Sequence, residues 1–366
     1  MTVVVGCKRP LFVCAIFMVN CSFVKYATSE WAELKKSPIS MSCTVSILIP
    51  ACNAERWIGS AIQSGLDQSW PKIEVIVVED GSTDQTLAVA KRYESGRVKV
   101  MRQDHRGAAA ARNTALREAQ GDFLQYLDAD DFLSADKIQE QLTLLRENPD
   151  HLSVSSSVYF FDGKDPDSGL EERSGAVDTD DPVKWLIEFL GPDGPFGTVP
   201  CGAWLTPRSV AERAGPWDVS VRSPDDDGEY FARVVLASHG IRASKAGRYY
   251  YRKFVRGGSF SSTYSEVLLQ GRLHSLNSKA DHLLARTTDP RAYRALANRY
   301  LDLAFGAYPS FPKLTDEALR KAREMGDTEY RPRFGTWKGE LLRHLVGWKA
   351  AKRLNAAFHQ RRASSH

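Results

Sequence analysis

The chain has 366 residues, 43% of them hydrophobic, and a formal net charge of +4, which suits one large globular domain or two smaller ones around a sizeable core. So small a basic excess leaves no footprint for nucleic acid, and no zinc-finger, homeodomain or aromatic-rich RNA motif supports one. Cys7, Cys14, Cys21, Cys43, Cys52 and Cys201 form no Cys-x-x-Cys pair and have no histidine cluster nearby, so neither zinc nor a disulfide framework is indicated and a reduced, cytosolic setting fits.

Residues 1–42 read differently from the rest. Lys8 and Arg9 precede an apolar run from Leu11 to Val24, interrupted by Asn20 and Ser22 and closed by Lys25. The run is shorter than the roughly twenty apolar residues a membrane span needs. A signal peptide, a weak anchor and an extension upstream of a true start at Met41 all fit; the third is expected, because a folded domain begins abruptly afterwards.

From Val45 apolar runs alternate with amphipathic segments. Val45 to Ile49 reads as a strand, and Ile58, Ala61, Ile62 and Leu66 fall on one helical face. Ile73 to Val78 is a second strand, rich in β-branched residues. Gly81-Ser82-Thr83-Asp84 turns the chain into a helix with Leu87, Ala90 and Tyr93 inward. Val98 to Met101, Ala108 to Ala119 and Phe123 to Leu127 continue as strand, helix and strand. This alternation predicts an α/β fold with a doubly wound, mostly parallel sheet, whose ligands sit at the carboxyl ends of the strands.

Polar residues gather at those ends. Pro50, Asn53 and Glu55 follow the first strand, Glu79 and Asp80 the second, and Arg112 and Asn113 open toward the same edge. GDFLQYLDADD, from Gly121 to Asp131, ends an apolar run in a carboxylate cluster. If the strand continues through Asp128, then Asp128 and Asp130 share a face. Converging carboxylates repel and call for a cation, Mg²⁺ or Mn²⁺ by ligand hardness. Alternatively, these acids cap the helix announced by Ser134 and Asp136. Arg112 suits a phosphate as a charge-assisted donor, or a structural salt bridge. No G-x-G-x-x-G follows these strands and no Walker A lysine motif occurs.

Four segments in this order, VSILIPACNAE at 45–55, VIVVEDGSTD at 75–84, HRGAAAARNTAL at 105–116 and FLQYLDADD at 123–131, resemble the inverting family-2 glycosyltransferases of the GT-A fold. The resemblance implies that Asp80 contacts the nucleotide base, Asp128 lies by the ribose and Asp130 binds the metal, with Asp131 bracing the loop or sharing in the site. Arg112 and Asn113 match a motif that helps shape the nucleotide pocket. Donor contact and loop rigidity are equal readings for Pro50, Asn53 and Glu55. AWLTPRSVAERAGPWD, containing Trp204, Arg208, Gly215, Trp217 and Asp218, resembles the framework preceding the catalytic base. SPDDDGEYFAR resembles the family's acidic pair leading into a helix with an arginine, and the family's spacing back from Arg233 implies Asp227 as the base and Asp226 as its acidic neighbour; a one-residue shift swaps them. Asp225 then only decorates a helix N-terminus. Tyr250, Tyr251 and Arg252, leading to Gly257, Gly258 and Ser259, resemble the family's flexible segment near the donor diphosphate, which makes Arg252 and Arg256 candidates for phosphate contact, or else simply solvated arginines. Phe254 stands where many members carry histidine.

Residues 263–366 look helical. Leu269, Leu273 and Leu276, then Tyr293, Leu296, Tyr300 and Leu303, keep apolar faces. From Arg331 onward Glu340 is the single acid among many lysines and arginines, interleaved with Trp337, Leu341, Leu345, Trp348 and Leu354. Such a segment fits an anionic membrane surface, or a packed helix with a solvated basic face.

The expected organisation is an extension over 1–42, a GT-A domain over 43–262 and a basic helical region over 263–366. Within the GT-A domain a Rossmann-like nucleotide-sugar half, 43–150, precedes an acceptor half, 151–262. The expected activity is metal-assisted, inverting transfer from a nucleotide sugar, UDP-linked by family habit, to a hydroxyl of a glycan, lipid-linked or other acceptor. The setting is cell-surface polysaccharide, glycolipid or glycan assembly, in the cytoplasm or at the inner face of the plasma membrane. A catalytically silent scaffold of the same fold is the alternative. A sugar-phosphate nucleotidyltransferase is disfavoured because PACNAE lacks the glycine- and arginine-rich loop with its lysine.

Overall fold

A computed structural model describes residues 43–172, 176–191, 199–254, 265–334 and 336–363, with side chains described as far as 355. The expectations for 1–42 and for Arg256, Gly257, Gly258 and Ser259 lie outside these residues. Strands β1 (Val45–Ala51), β2 (Ile73–Asp80), β3 (Val98–Gln103) and β4 (Phe123–Tyr126) pair in parallel in the order β3-β2-β1-β4. They are linked by helices α1 (Ile58–Leu66), α2 (Thr86–Lys91) and α3 (Ala108–Glu118). Successive side chains of a strand leave on opposite faces. Leu48, Ile76 and Val78 accordingly bury against α3 on one side, and Ile47, Ile49, Val75 and Val77 against α1 on the other. This double burial explains why β1 and β2 read as unbroken apolar runs.

β1 runs through Pro50, two residues beyond its last pairing with β4 at Leu48–Tyr126. Proline cannot donate to a ladder, and here its ring falls where β4 has already ended. The short β5 (Phe132–Leu133) and helix α4 (Lys137–Leu145) follow. The second half adds β6 (Leu152–Phe161), β7 (Leu170–Glu172), β8 (Trp204–Pro207) and β9 (Ile241–Lys253), with helices α5 (Pro182–Leu190), α6 (Arg208–Ala214) and α7 (Asp226–Ala237). β8 joins antiparallel to β4 and carries the sheet on through β6, β9 and β5, so the parallel half continues into a mixed one.

The C-terminal region is helical as expected: α8 (Glu266–Leu284), α9 (Pro290–Ala307), α10 (Pro312–Met325) and α11 (Trp337–Ala363). Leu269, Leu273, Leu276, Leu296, Tyr300 and Leu303 share one core with Trp204, Trp217 and Phe231. The helical region is thus packed onto the acceptor half.

Candidate active site

The site forms where β1, β2 and β4 end against the N-terminus of α7. Asn53 and Glu55 tie the loop after β1 to the loop after β2. Asn53 Oδ1 accepts the Thr83 N–H at 2.9 Å, and Glu55 Oε2 accepts the Gln85 N–H at 2.8 Å. Asn53 takes the left-handed conformation, φ +50°, which asparagine tolerates better than most residues. Asp80 is buried, and its carboxylate accepts from Gln103 Nε2 at 2.6 Å and from the N–H groups of Arg106 and Gly107 at 2.9 and 2.7 Å. These contacts make Asp80 the clamp of the loop that opens α3.

β4 stops at Tyr126, so the strand-alternation argument does not carry as far as Asp128. Asp128–Asp131 form a turn instead, closed by the Asp131 N–H to the Asp128 carbonyl at 3.1 Å. Its three acids have separate contacts. Asp131 is buried, takes the Arg252 N–H at 2.7 Å and accepts from the Tyr249 hydroxyl. Burial, then the charges of Asp130 and Asp128, holds its carboxyl well above the usual range. It braces the loop. Asp128 is 30% exposed and pairs with Arg112 Nη2 at 2.8 Å, while the buried Cys201 thiol points at its other oxygen from 3.5 Å. Asp130 has no ion-pair partner among the described residues, and burial followed by the Asp128 charge pushes it up to about 6. A hard cation would relieve that charge. Among the described residues no three ligand-type side chains converge, so protein ligation of a cation would rest on Asp130, with remaining oxygens supplied from outside the protein.

Arg252 is a positioned residue: Nε donates to the Asp130 carbonyl at 2.7 Å and Nη1 to Asp162 at 2.9 Å, with the guanidinium over Phe160. Trp57 Nε1 shares that aspartate at 3.3 Å. Its role here is to fix the acidic turn to β9.

Arg112 joins the two halves. It is buried on α3, stacks 4.4 Å from the Trp217 ring centroid, and forks between Asp128 and Asp226, the latter at 2.9 Å from Nη1. Planar guanidinium geometry allows both contacts at once. Asn113 clamps the same segment, exchanging hydrogen bonds with the Trp217 N–H and carbonyl at 2.9 and 2.8 Å. Arg233 binds Glu229 at 2.7 Å and the Ala214 and Pro216 carbonyls, and Arg208 Nε donates to the Gly121 carbonyl at 2.6 Å. These are framework contacts.

Asp225 precedes α7, and Asp226 and Asp227 occupy its first turn. Asp226 Oδ1 accepts the Asp227 N–H at 2.9 Å, and Asp227 Oδ1 the Gly228 N–H at 2.7 Å. Burial, then the charges of Asp226 and Asp225, pushes Asp227 up to about 7. Asp226 is also raised by burial, opposed by Arg112. Asp225 does more than decorate the helix: it pairs with the buried Lys279 of α8 at 2.7 Å and accepts from Ser275 at 2.6 Å.

Tyr249, Asp162, Cys201 and Lys279 escaped the sequence reading. Only Lys279 left a signal, an ammonium group one turn beyond Leu276 on an otherwise apolar helical face.

A family model described as "Glycosyl transferase family 2" matches residues 46–213. The chain is 39% identical over 120 residues to an uncharacterized glycosyltransferase of Haemophilus influenzae, covering 32% of this chain and 47% of that protein. It is 38% identical over 105 residues to the Escherichia coli UDP-Glc:alpha-D-GlcNAc-diphosphoundecaprenol beta-1,3-glucosyltransferase WfgD, covering 28% and 42%. These alignments span less than half of either relative. With the E. coli enzyme WfaP, of the same printed activity, identity is 27% over 243 residues, covering 65% and 88%. Crystalline S. aureus TarS 1-349 in complex with UDP superposes with a TM-score of 0.55 at 16% identity, over 80% of this chain and 94% of that one, which supports the fold. Residues 46–213 are therefore a family 2 glycosyl transferase domain, built on a GT-A fold and continued by a helical C-terminal region.

Proposed function

We propose that this chain transfers a sugar from a nucleoside diphosphate donor, a UDP-sugar, to a hydroxyl of a lipid-linked or polysaccharide acceptor, with inversion at the anomeric carbon. The observation that carries the reading is the Arg112 fork. One buried guanidinium ties Asp128 of the donor-side turn to Asp226, beside the one acid of the α7 turn held at about 7.

Asp227 is the general base. A carboxylate raised to near neutrality takes the acceptor proton far better than an ordinary one, and is about half ionised near pH 7 and increasingly so above it. Asp226, fixed by Arg112, holds the first turn of α7 in register and adds the charge that raises Asp227. Asp80, Asn53, Glu55 and Pro50 shape the nucleotide end by fixing the loops after β1 and β2, and Asp128 faces the ribose. Arg252 steadies the turn that bears Asp130. Asp130 would hold Mn²⁺ or Mg²⁺, which when bound supplies Lewis-acid neutralisation of the leaving diphosphate. The printed activities of WfgD and WfaP, and the UDP in the TarS complex, support a UDP donor and a polyprenyl diphosphate-linked acceptor. Such an acceptor would put the enzyme at the inner face of the plasma membrane.

The test is UDP release from UDP-glucose and UDP-N-acetylglucosamine, with and without a lipid diphosphate sugar acceptor, for the wild type and Asp227→Asn. Acceptor-dependent release that the substitution abolishes, with UDP binding retained by calorimetry, is expected. UDP binding with no transfer to any acceptor would instead support a silent scaffold.

A further inference from the structure

α11 turns the wrong face outward for a helix that ends in water. A left-handed residue, Gly347 (φ 76°), divides it into two pieces. In the first piece Gly339 lies against the Phe334 side chain, and Glu340 is turned back to accept the Phe334 N–H at 2.7 Å and to pair with Arg343 at 2.7 Å. These contacts fix the rotation of the helix. The opposite side then presents Trp337, Leu341 and Leu345, each one turn after the last, at 72%, 53% and 72% exposure, with Val346 beside them. A soluble amphipathic helix buries such a stripe. The second piece is anchored: Trp348 packs against Phe305 and Tyr308, and Lys352 Nζ donates to the Phe305 carbonyl.

Exposed cations surround the stripe: Arg331 and Arg333 before it, Lys338 beside Trp337, and Lys349 and Arg353 after. Glu340, already paired internally, is the single acid from Arg331 to the C-terminus. Among the described residues no helix is long and apolar enough to cross a membrane. An outward Trp-Leu-Leu stripe rimmed by bases has the composition of a helix lying in the plane of an interface. Against a second copy of the chain the two basic rims would repel; against anionic headgroups they attract.

We infer that the Trp337-Leu341-Leu345 face docks onto an anionic lipid surface, inserting these side chains among the acyl chains while Lys338, Lys349 and Arg353 meet the headgroups. The inference rests on α11 alone and stands whether or not the donor reading above holds.

The test is co-sedimentation of the full chain with phosphatidylglycerol-containing vesicles and with pure phosphatidylcholine vesicles. Leu341→Glu/Leu345→Glu and Lys338→Gln/Lys349→Gln/Arg353→Gln are compared with the wild type. Every substituted side chain is exposed, although Lys349 and Arg353 rest over the Tyr308 ring, so the fold is expected to be kept, checked by the melting temperature. Wild type is expected on the anionic vesicles only, with binding weakened about 100-fold in the triple Gln variant and lost in the double Glu variant. Equal partition of wild type and both variants, or no binding to anionic vesicles, overturns the proposal. So does self-association in sedimentation velocity that the double Glu variant abolishes without any vesicle binding, since it would assign the face to a second copy.

Discussion

Lys279 of α8 holds Asp225 at 2.7 Å, and so ties the helical C-terminal region to the turn that bears Asp226 and Asp227, both partners lying beyond the family-matched residues 46–213. Asp225 is one of the charges that raise Asp227, and Lys279 offsets it. Lys279→Met should therefore raise Asp227 further and move the acid limb of the kcat/KM profile up by roughly half to one pH unit, while Lys279→Arg leaves it near its original position. An unchanged limb with a lowered Tm would reduce Lys279 to a packing residue.

Asp227 sits at about 7 in the folded chain, against an ordinary aspartate value of 3.8. Between those values the folded state binds a proton that the unfolded state has released, so stability falls as pH rises through this window. Asp227→Asn removes the charge but keeps an oxygen for the Gly228 N–H. At about pH 8 the variant should be more stable than wild type by roughly 1–3 kcal/mol, and near pH 4 that advantage should vanish. Its turnover should fall at least about 100-fold. Urea unfolding at the two pH values reads the first claim, and equal stability at both would mean that the carboxyl is not raised.

Arg112 is a case where a conservative change is not conservative. Lysine is a point charge without a planar fork and cannot stack as arginine does on Trp217. Arg112→Lys should keep the fold but misplace Asp226 against Asp128, with kcat/KM falling about 100-fold. Arg112→Met leaves both acids facing an apolar side chain and should cost about 3–5 kcal/mol in urea unfolding. A lysine variant with wild-type kinetics would refute the positioning role.

Gly202 makes a steric prediction. A Cβ there would run into the Tyr249 ring, whose hydroxyl is hydrogen-bonded to Asp131. Gly202→Ala should displace that ring and destabilise the chain by about 1–3 kcal/mol, read as a lower Tm. An unchanged Tm would mean that the ring yields freely.

The parallel half of the fold was legible because β1, β2 and β4 are buried on both faces and read as unbroken apolar runs. Their boundaries were less so. β1 continues through Pro50 and Ala51 by pairing with Val78 and Glu79 of β2 beyond the end of β4, which no local pattern announces. The acids of the site were legible as residue types at strand ends. Their division of labour was not, because it depends on contacts between distant parts of the chain. Asp131 is a brace because Tyr249, 118 residues on, donates to it, and Arg112 is a fork because Asp226 lies 114 residues away. The turn after Tyr126 likewise broke the alternation on which a shared face for Asp128 and Asp130 depended.

Asp130 carries the metal prediction. Its carboxylate has no ion-pair partner among the described residues, whereas Asp128 is paired with Arg112 and Asp131 takes a hydroxyl and an N–H. Burial and the Asp128 charge together raise Asp130 to about 6, so a bound divalent cation gains affinity by relieving both. Calorimetric titration of UDP with Mn²⁺ should show binding at least about tenfold tighter than with a chelator present, because a cation held by Asp130 would neutralise the diphosphate. Asp130→Asn removes the charge without changing volume and should erase that increment while leaving metal-free UDP binding within about twofold. Asp131→Asn serves as the contrast. It disturbs the hydrogen bonds to Tyr249 and Arg252, so it should lower the Tm instead of selectively removing the metal increment. If Asp130→Asn keeps the full Mn²⁺ effect, the ion sits elsewhere and Asp130 is not its ligand.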